Sequence, residues 1–155
     1  MAGVVDRLAA VGLAVPPVAA PVASYVPAVR SGAHVFTSGQ LPMVDGALVA
    51  TGTVGDTVDP ETAAGLARTA ALNAIAAVGG VVDLDTVARV VKATVFVASA
   101  PDFTSQAQVA NGASELFATA FGDAGIHARS AVGVAVLPLG SPVEVEVVVE
   151  VEAPA

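Results

Sequence analysis

The chain has 155 residues, of which 55% are hydrophobic and 13% charged, and its formal net charge at pH 7 is −8. The length predicts one domain with its own hydrophobic core, and the negative charge argues against binding to nucleic acid or anionic lipid. The absence of cysteine excludes disulfides, a thiolate nucleophile and a cysteine-based zinc site, and it fits a cytoplasmic protein. Because apolar residues are in surplus, we expect further surface to be buried in an oligomer.

Residues 1–23 are predicted to form a short helix and an arm that precede the folded domain. Residues 4–11 have helical spacing, and Gly12 is a typical helix terminator. Residues 16–23 are rich in proline, which predicts an extended arm lying against the domain surface. Residues 24–155 are predicted to form the single domain.

Residues 8–29 carry no charge, a composition shared by membrane segments and signal peptides. Four prolines interrupt this stretch, and a spanning helix needs about 20 apolar residues that stay helical. The lone arginine before it is a poor basic region for a signal peptide. We therefore predict neither a membrane span nor a targeting sequence.

Two hairpins are predicted after the arm. Residues 25–30 and 33–38 are predicted strands on either side of the turn pair Ser31-Gly32. Asp45-Gly46 is the signal for a second hairpin, and the glycine-rich residues that follow it are predicted to be a loop.

Two helices and a strand are predicted in the middle of the chain. Asp59 is a preferred N-cap residue and Pro60 a preferred first helical residue, so a helix is predicted over residues 61–78. Residues 89–97 predict a strand, and residues 101–121 a second helical region.

The C-terminal segment is predicted to form two strands, one after Ser130 and one from Val143 onward. Alternation in the second strand separates two faces, with valines 143, 145, 147, 149 and 151 on one and glutamates 144, 146, 150 and 152 on the other. The connection over residues 137–142 is predicted to bring Arg129 and Glu144 to neighbouring positions of one sheet.

The order of strands, helix, strand, helix and strands predicts an α+β fold. We expect a two-layer sandwich in which two main helices pack on one face of a mixed sheet.

Arg129 is the principal candidate for a binding residue, because it lies in a largely uncharged segment and its planar fork matches a carboxylate. A surface or interface salt bridge, for example with Glu144 or Glu146, is the alternative interpretation. A cation and an acid on rigid strands would suit a small carboxylate substrate.

Several motifs, in order, resemble the Rid (reactive intermediate deaminase, YjgF-like) family over residues 24–150. They are Tyr25-Val26, the segment Thr37-Ser38-Gly39-Gln40-Leu41-Pro42, the strand over residues 91–97, Asp102-Phe103, Asn111, Ala128-Arg129-Ser130, Leu137-Pro138 and Val143-Glu144-Val145-Glu146. The resemblance implies a chorismate mutase-like fold and a homotrimer with clefts between subunits.

The resemblance also implies a cofactor-free deaminase that hydrolyses small 2-imino or enamine acids, such as 2-aminoacrylate, to 2-keto acids and ammonia. In the family, the arginine that Arg129 matches holds the substrate carboxylate, and Glu144 aligns with the acid that handles water. Tyr25, Ser38 and Asn111 match positions that line the cleft. From the residues alone, Glu144 also fits a solvated strand face, Tyr25 a sheet edge, Ser38 a turn and Asn111 a helix surface.

A binding module is the alternative function, in which the same trimer holds a small carboxylate as a sensor or carrier without turnover. His34 and His127 have no acid at ligand spacing, so no metal site is predicted, and no nucleotide motif is present. Ribonuclease activity, attached to relatives, is argued against by the net charge of −8. His127 stands where proline is usual in the family, and we interpret it as a loop residue or a proton shuttle.

Overall fold

The structure, a computed structural model, describes residues 1–153. Its helices are α1 (Val4–Ala9), α2 (Pro60–Gly79) and α3 (Gln106–Phe121). Its strands are β1 (Ala28–Ser31), β2 (His34–Thr37), β3 (Met43–Val44), β4 (Ala47–Leu48), β5 (Val87–Ala98), β6 (Ala128–Val134) and β7 (Val143–Val151). Within this part of the chain, no helix combines the length and the apolar character needed to span a membrane.

A five-stranded mixed sheet in the order β1-β2-β7-β5-β6 forms one layer, and β3 and β4 form a separate hairpin. Strands β5 and β6 are parallel, and the other neighbours in the large sheet are antiparallel. Helix α2 contacts β7 and helix α3 contacts β5, so the two long helices form the second layer. The predicted two-layer α+β sandwich is confirmed.

The alternation predicted for β7 is confirmed. Its five valines at odd positions are each at most 3% exposed, because they face the helices. Glu144, Glu146 and Glu150 are half-buried on the opposite face. On that same face, Phe36 of β2 and Val132 of β6 remain 48% and 41% exposed. The sheet therefore presents one open, partly apolar face.

Helix α2 begins where the sequence predicts. Asp59 accepts hydrogen bonds from the backbone N–H and the hydroxyl of Thr62, at 2.9 and 2.7 Å, and these bonds lower the pKa of Asp59. Pro60 fills the first position, where the helix needs no N–H donor. Local chemistry alone accounts for this helix start.

Helix α3 begins at Gln106, whereas the prediction started the helical region at residue 101. The intervening segment turns instead, because the backbone N–H of Phe103 bonds to the carbonyl of Ala100 at 3.0 Å. Phe103 then packs against Gly55 and the main core. The sequence pattern of residues 101–121 could not predict this contact, because Gly55 is distant in the chain.

The first hairpin turns at Gly32 and Ala33 rather than at the predicted Ser31-Gly32, because Ser31 pairs with His34. Its first strand starts at Ala28 instead of Tyr25, just after Pro27, which has no N–H to give to a sheet. The second hairpin is confirmed: Asp45 and Gly46 have φ of 52° and 81°, as a two-residue hairpin turn requires.

Strand β5 lies between β6 and β7, so the predicted pairing of the two C-terminal strands is wrong. A parallel neighbour needs a crossover of about a dozen residues or more, and α3 supplies one between β5 and β6. The chain then returns through residues 135–142 to the other side of β5, where β7 pairs antiparallel.

Helices α2 and α3 approach each other closely at Gly112. An alanine methyl group there would lie 2.7 Å from the carbonyl carbon of Ala64 on α2. We expect Gly112→Ala to lower the free energy of unfolding by about 1–3 kcal/mol in urea denaturation, because the helices would have to separate. Gly65→Ala is the matched control: within residues 1–153, its added methyl group has no neighbour within 4 Å beyond the adjacent residues and backbone of its own helix, so a gain of about 0.5–1 kcal/mol is expected. Equal shifts in the two variants would contradict the close approach.

Candidate active site

Arg129 lies on β6 and extends over α3. It pairs with Ala93 of β5, which pairs with Val147 of β7, and both of these side chains are buried beneath the helices. The arginine therefore projects toward the helix layer. Its Nη1 donates to Asn111 Oδ1 at 2.8 Å, so the structure brings two of the predicted site residues together.

Two further acceptors on α3 hold the guanidinium. Nη1 of Arg129 donates to Ser114 Oγ at 3.2 Å, and Nη2 donates to the carbonyl of Ala107 at 3.3 Å. Positions 107, 111 and 114 have the spacing of one helix face, so α3 presents three oxygens in a row. Ser114 is absent from the predicted site, although its position three residues after Asn111 could have indicated it.

The acceptors that hold Arg129 are uncharged, so they leave its positive charge uncompensated. Among residues 1–153, three of the five N–H donors are engaged, which leaves the Nε–H and one Nη2–H. These two nitrogens share one edge of the guanidinium, and such an edge takes a carboxylate through two parallel hydrogen bonds. Within one chain, Glu144 and Glu146, the partners named for a salt bridge, lie on the other face of the sheet.

His127 joins the same cluster through Ser114. Its Nε2 lies 2.9 Å from Ser114 Oγ, and its Nδ1 lies 2.6 Å from the carbonyl oxygen of Gly125. Together with Arg129 and Ile126, these residues line a cleft of about 210 Å³. We call Arg129, Asn111, Ser114 and His127 the arginine group.

Glu144 lies on the open face of the sheet, near the start of β7. It pairs with Phe96 of β5, which pairs with Val132 of β6. Partial burial of the carboxyl raises the pKa of Glu144, and the negative charge of Glu146 raises it further. A carboxyl with a raised pKa is better suited to exchanging protons near neutral pH than an exposed one.

The Glu144 side chain rests directly on Gly39. A methyl group at Gly39 would lie 2.6 Å from Cδ of Glu144, so a larger residue there would force the carboxyl to move. Around this contact β2 loses its regular pairing: the N–H of Val147 donates to the Thr37 hydroxyl at 3.0 Å, and pairing resumes between Gln40 and Val145. The Thr-Ser-Gly-Gln motif, residues 37–40, thus forms the surface against which the Glu144 side chain packs.

Tyr25 and Ser38 lie beside the contact between Glu144 and Gly39. The Ser38 hydroxyl donates to the carbonyl of Val26 at 2.7 Å, and the Tyr25 hydroxyl accepts from the N–H of Val22 at 3.3 Å. Tyr25 and Gly39 line a small cavity of about 40 Å³ together with residues 19–22, so the proline-rich arm forms part of its wall. We call Glu144, Gly39, Tyr25 and Ser38 the glutamate group.

One chain holds its two groups apart. Arg129 and Glu144 project from opposite faces of the sheet, with β5 between their strands. Strand spacing and register place their Cα atoms roughly 14 Å apart. The prediction that they are neighbours in one sheet is therefore wrong. Within residues 1–153, no three histidine, aspartate or glutamate side chains are grouped so that they could hold a metal ion.

A family model described as Endoribonuclease L-PSP matches residues 17–151. The chain belongs to this YjgF-like family. The match covers both groups of site residues and part of the arm. The family membership and the fold that the sequence motifs predicted are therefore confirmed. YjgF-like members also appear among the similar solved structures.

Three of these relatives illustrate the similarity. TCP17 of Trypanosoma cruzi is 46% identical over 152 residues, which cover 95% of this chain and 93% of TCP17. The crystal structure of Atu1372 from Agrobacterium tumefaciens, a protein described as having unknown function, has a TM-score of 0.90 and 44% identity, over 96% of this chain and 92% of Atu1372. The crystal structure of E. coli TdcF with bound serine has a TM-score of 0.61 and 29% identity, over 87% of this chain and 93% of TdcF.

Proposed function

We propose that this protein hydrolyses small 2-imino or enamine acids to 2-keto acids and ammonia without a cofactor. One observation carries the proposal: helix α3 holds the Arg129 guanidinium through uncharged oxygens and leaves one edge of it free. A charged fork with two free donors is suited to the carboxylate that every such substrate bears. The relative TdcF with bound serine supports the substrate class, since serine is a small carboxylate.

Glu144 supplies the proton transfers in this proposal. As water adds to the imine carbon, the carboxylate takes a proton from the water and passes it to the nitrogen, which gives a carbinolamine. Glu144 then takes the proton of the carbon-bound hydroxyl and delivers it to the amino nitrogen; the C–N bond breaks, the carbonyl forms and ammonia leaves, so the carboxylate ends as it began. The raised pKa of Glu144 helps it to act in both directions.

The cleft is built by two copies of the chain in this proposal. The arginine group and the glutamate group lie on opposite faces of one subunit, so the arginine group of one copy meets the glutamate group of the next. The exposed Phe36 and Val132 on the open face of the sheet favour its burial against other copies. A closed ring of three, as the family resemblance implies, would use each face once per subunit.

A mixing experiment tests both the reaction and the shared site. Wild-type protein is expected to accelerate ammonia release from freshly generated 2-aminoacrylate, whereas Arg129→Ala and Glu144→Gln proteins are expected to be inactive. Co-assembly of the two inactive chains should recover roughly a quarter to a third of the activity, because one of the three interfaces in every mixed trimer combines intact Arg129 with intact Glu144.

Two results would count against this proposal. No recovery in confirmed mixed oligomers would place the site within one chain or elsewhere. No acceleration by a folded wild-type oligomer, together with Arg129-dependent binding of pyruvate, would favour the carboxylate-binding module, since binding needs Arg129 alone. RNA cleavage is not expected, because a net charge of −8 with six basic residues opposes a phosphate backbone.

A further inference from the structure

We propose that Ser114 and His127 are positioning residues that fix the orientation of the Arg129 guanidinium. The inference rests on the proposed function only where it takes Arg129 to bind a carboxylate. It concerns a hydrogen-bonded relay that runs from the Gly125 carbonyl through the His127 ring and the Ser114 hydroxyl to Arg129 Nη1, with links of 2.6, 2.9 and 3.2 Å.

The chemistry of the end groups determines the direction of every link. The Gly125 carbonyl only accepts hydrogen bonds, so Nδ1 of His127 must carry the proton. In the neutral ring Nε2 is then an acceptor, and the Ser114 hydroxyl must donate to it. The guanidinium only donates, so the remaining lone pairs of Ser114 face Nη1 of Arg129. The relay has one polarity, and that polarity leaves Ser114 as an acceptor for the arginine.

The far end of the relay is anchored in the rigid part of the molecule. Gly125 is buried, and a methyl group there would lie 2.6 Å from the carbonyl carbon of Phe117 on α3. The ring of Phe117 meets the His127 ring edge-on, with centroids 5.5 Å apart and planes at 90°. His127 is therefore held by packing as well as by its bond to Gly125.

A long arginine side chain gains from such an anchor, because free rotation of its fork must be lost when a carboxylate binds. Catalytic and binding groups need their geometry held within about 10–20°. Asn111 and Ala107 accept hydrogen bonds from the guanidinium at two places. The relay adds a third acceptor, the Ser114 hydroxyl, whose own proton is held by His127 and cannot turn toward the arginine. Ser114 and His127 thus act on substrate through Arg129.

The tautomer of His127 gives a test that does not depend on turnover. Nitrogen NMR of the wild-type oligomer at neutral pH is expected to show His127 protonated at Nδ1 and unprotonated at Nε2. In Ser114→Ala the same tautomer should persist, because Gly125 determines it, while the Nε2 signal shifts toward that of a free acceptor. A proton on Nε2 of the neutral wild-type ring would overturn the relay whatever the protein's activity.

Kinetics of four variants then separate positioning from structural support. Ser114→Ala and His127→Phe are each expected to raise KM for the imino acid roughly 10-fold with little change in kcat. The first variant loses a hydrogen bond to the charged guanidinium, and the second frees the Ser114 hydroxyl to turn away from Arg129. The double variant should be no worse than the worse single variant, because both belong to one relay. Ser114→Thr, which keeps a hydroxyl, should retain most of the wild-type KM.

Thr119→Val is the matched control on the same helix, since the Thr119 hydroxyl donates only to the Glu115 carbonyl of its own helix at 2.9 Å. Additive losses in the double variant, or an equal loss in the control, would overturn the positioning role. Covalent labelling of Ser114 by a phosphonate ester would do so as well, because it would make Ser114 a nucleophile. If wild-type protein turns nothing over, pyruvate affinity measured by calorimetry replaces KM in the same comparison.

Discussion

Replacement of Arg129 by alanine is expected to lower kcat/KM for a small 2-imino acid by about 100-fold or more. The variant loses the two charge-assisted hydrogen bonds that the free edge of the guanidinium offers to the carboxylate, each worth about 1.5–3 kcal/mol. Arg129→Lys should recover little of this loss. A lysine ammonium keeps the charge, but it cannot bond to Asn111 and Ser114 while presenting two parallel donors to substrate.

Arg30→Ala is the control for the removal of a positive charge. Arg30 is exposed on β1 and donates to the Gly32 carbonyl at 3.0 Å, in neither group of site residues. Its replacement should leave kcat/KM within about twofold. Comparable losses in the two arginine variants would show that overall charge, rather than the fork, attracts the substrate. Full activity of Arg129→Ala would remove the basis of the proposed function.

Replacement of Glu144 by glutamine is expected to lower kcat by about 100- to 10,000-fold while pyruvate binding stays nearly unchanged. Glutamine keeps the shape that rests on Gly39 but cannot exchange a proton with water. Glu146→Gln is the control on the same face, and it should retain turnover. Because the charge of Glu146 raises the pKa of Glu144, this control should also move the acidic limb of the pH profile to lower pH.

The raised pKa of Glu144 also predicts a dependence of stability on pH. A carboxyl whose pKa is raised by folding stabilises the folded state fully below its unfolded pKa, and this contribution is lost as pH rises through the folded pKa. Glu144→Gln removes the group, so the Tm of the variant relative to wild type should be higher at pH 7 than at pH 4. A constant Tm difference across that range would contradict the partly buried state of Glu144.

In the kinetic comparison above, an equal loss of turnover and of pyruvate binding in Glu144→Gln would contradict the proposed role of Glu144 in transferring protons to and from water.

The identities of the site residues were within reach of the sequence, while their arrangement was not. Arg129 and Asn111 were both predicted as site residues, and Arg129 Nη1 lies 2.8 Å from Asn111 Oδ1 in the structure. Tyr25 and Ser38 lie beside the contact between Glu144 and Gly39. Their catalytic and binding roles stay predictions. The role of Ser114, and the place of the arm in the cavity wall beside Tyr25, were not predicted, because each depends on contacts with residues distant in the chain.

The features that the sequence by itself determined are those that depend on neighbouring residues. The alternation of β7 decided which face is buried, Asp59 and Pro60 decided where α2 begins, and Asp45-Gly46 decided a hairpin. Side-chain periodicity and backbone preference act over a few residues, so the chain's order suffices to predict them. The α+β class followed from the order of these elements.

Only the tertiary structure decided how the strands pair and what the side chains meet. Strand β5 enters between β6 and β7, and the register of these strands places Arg129 and Glu144 on opposite faces of one subunit instead of in one site. Strand pairing joins residues that are far apart in the chain, and a change of register by one residue reverses the face of every side chain. The contacts of Glu144 with Gly39 and of Arg129 with Ser114 follow from that pairing.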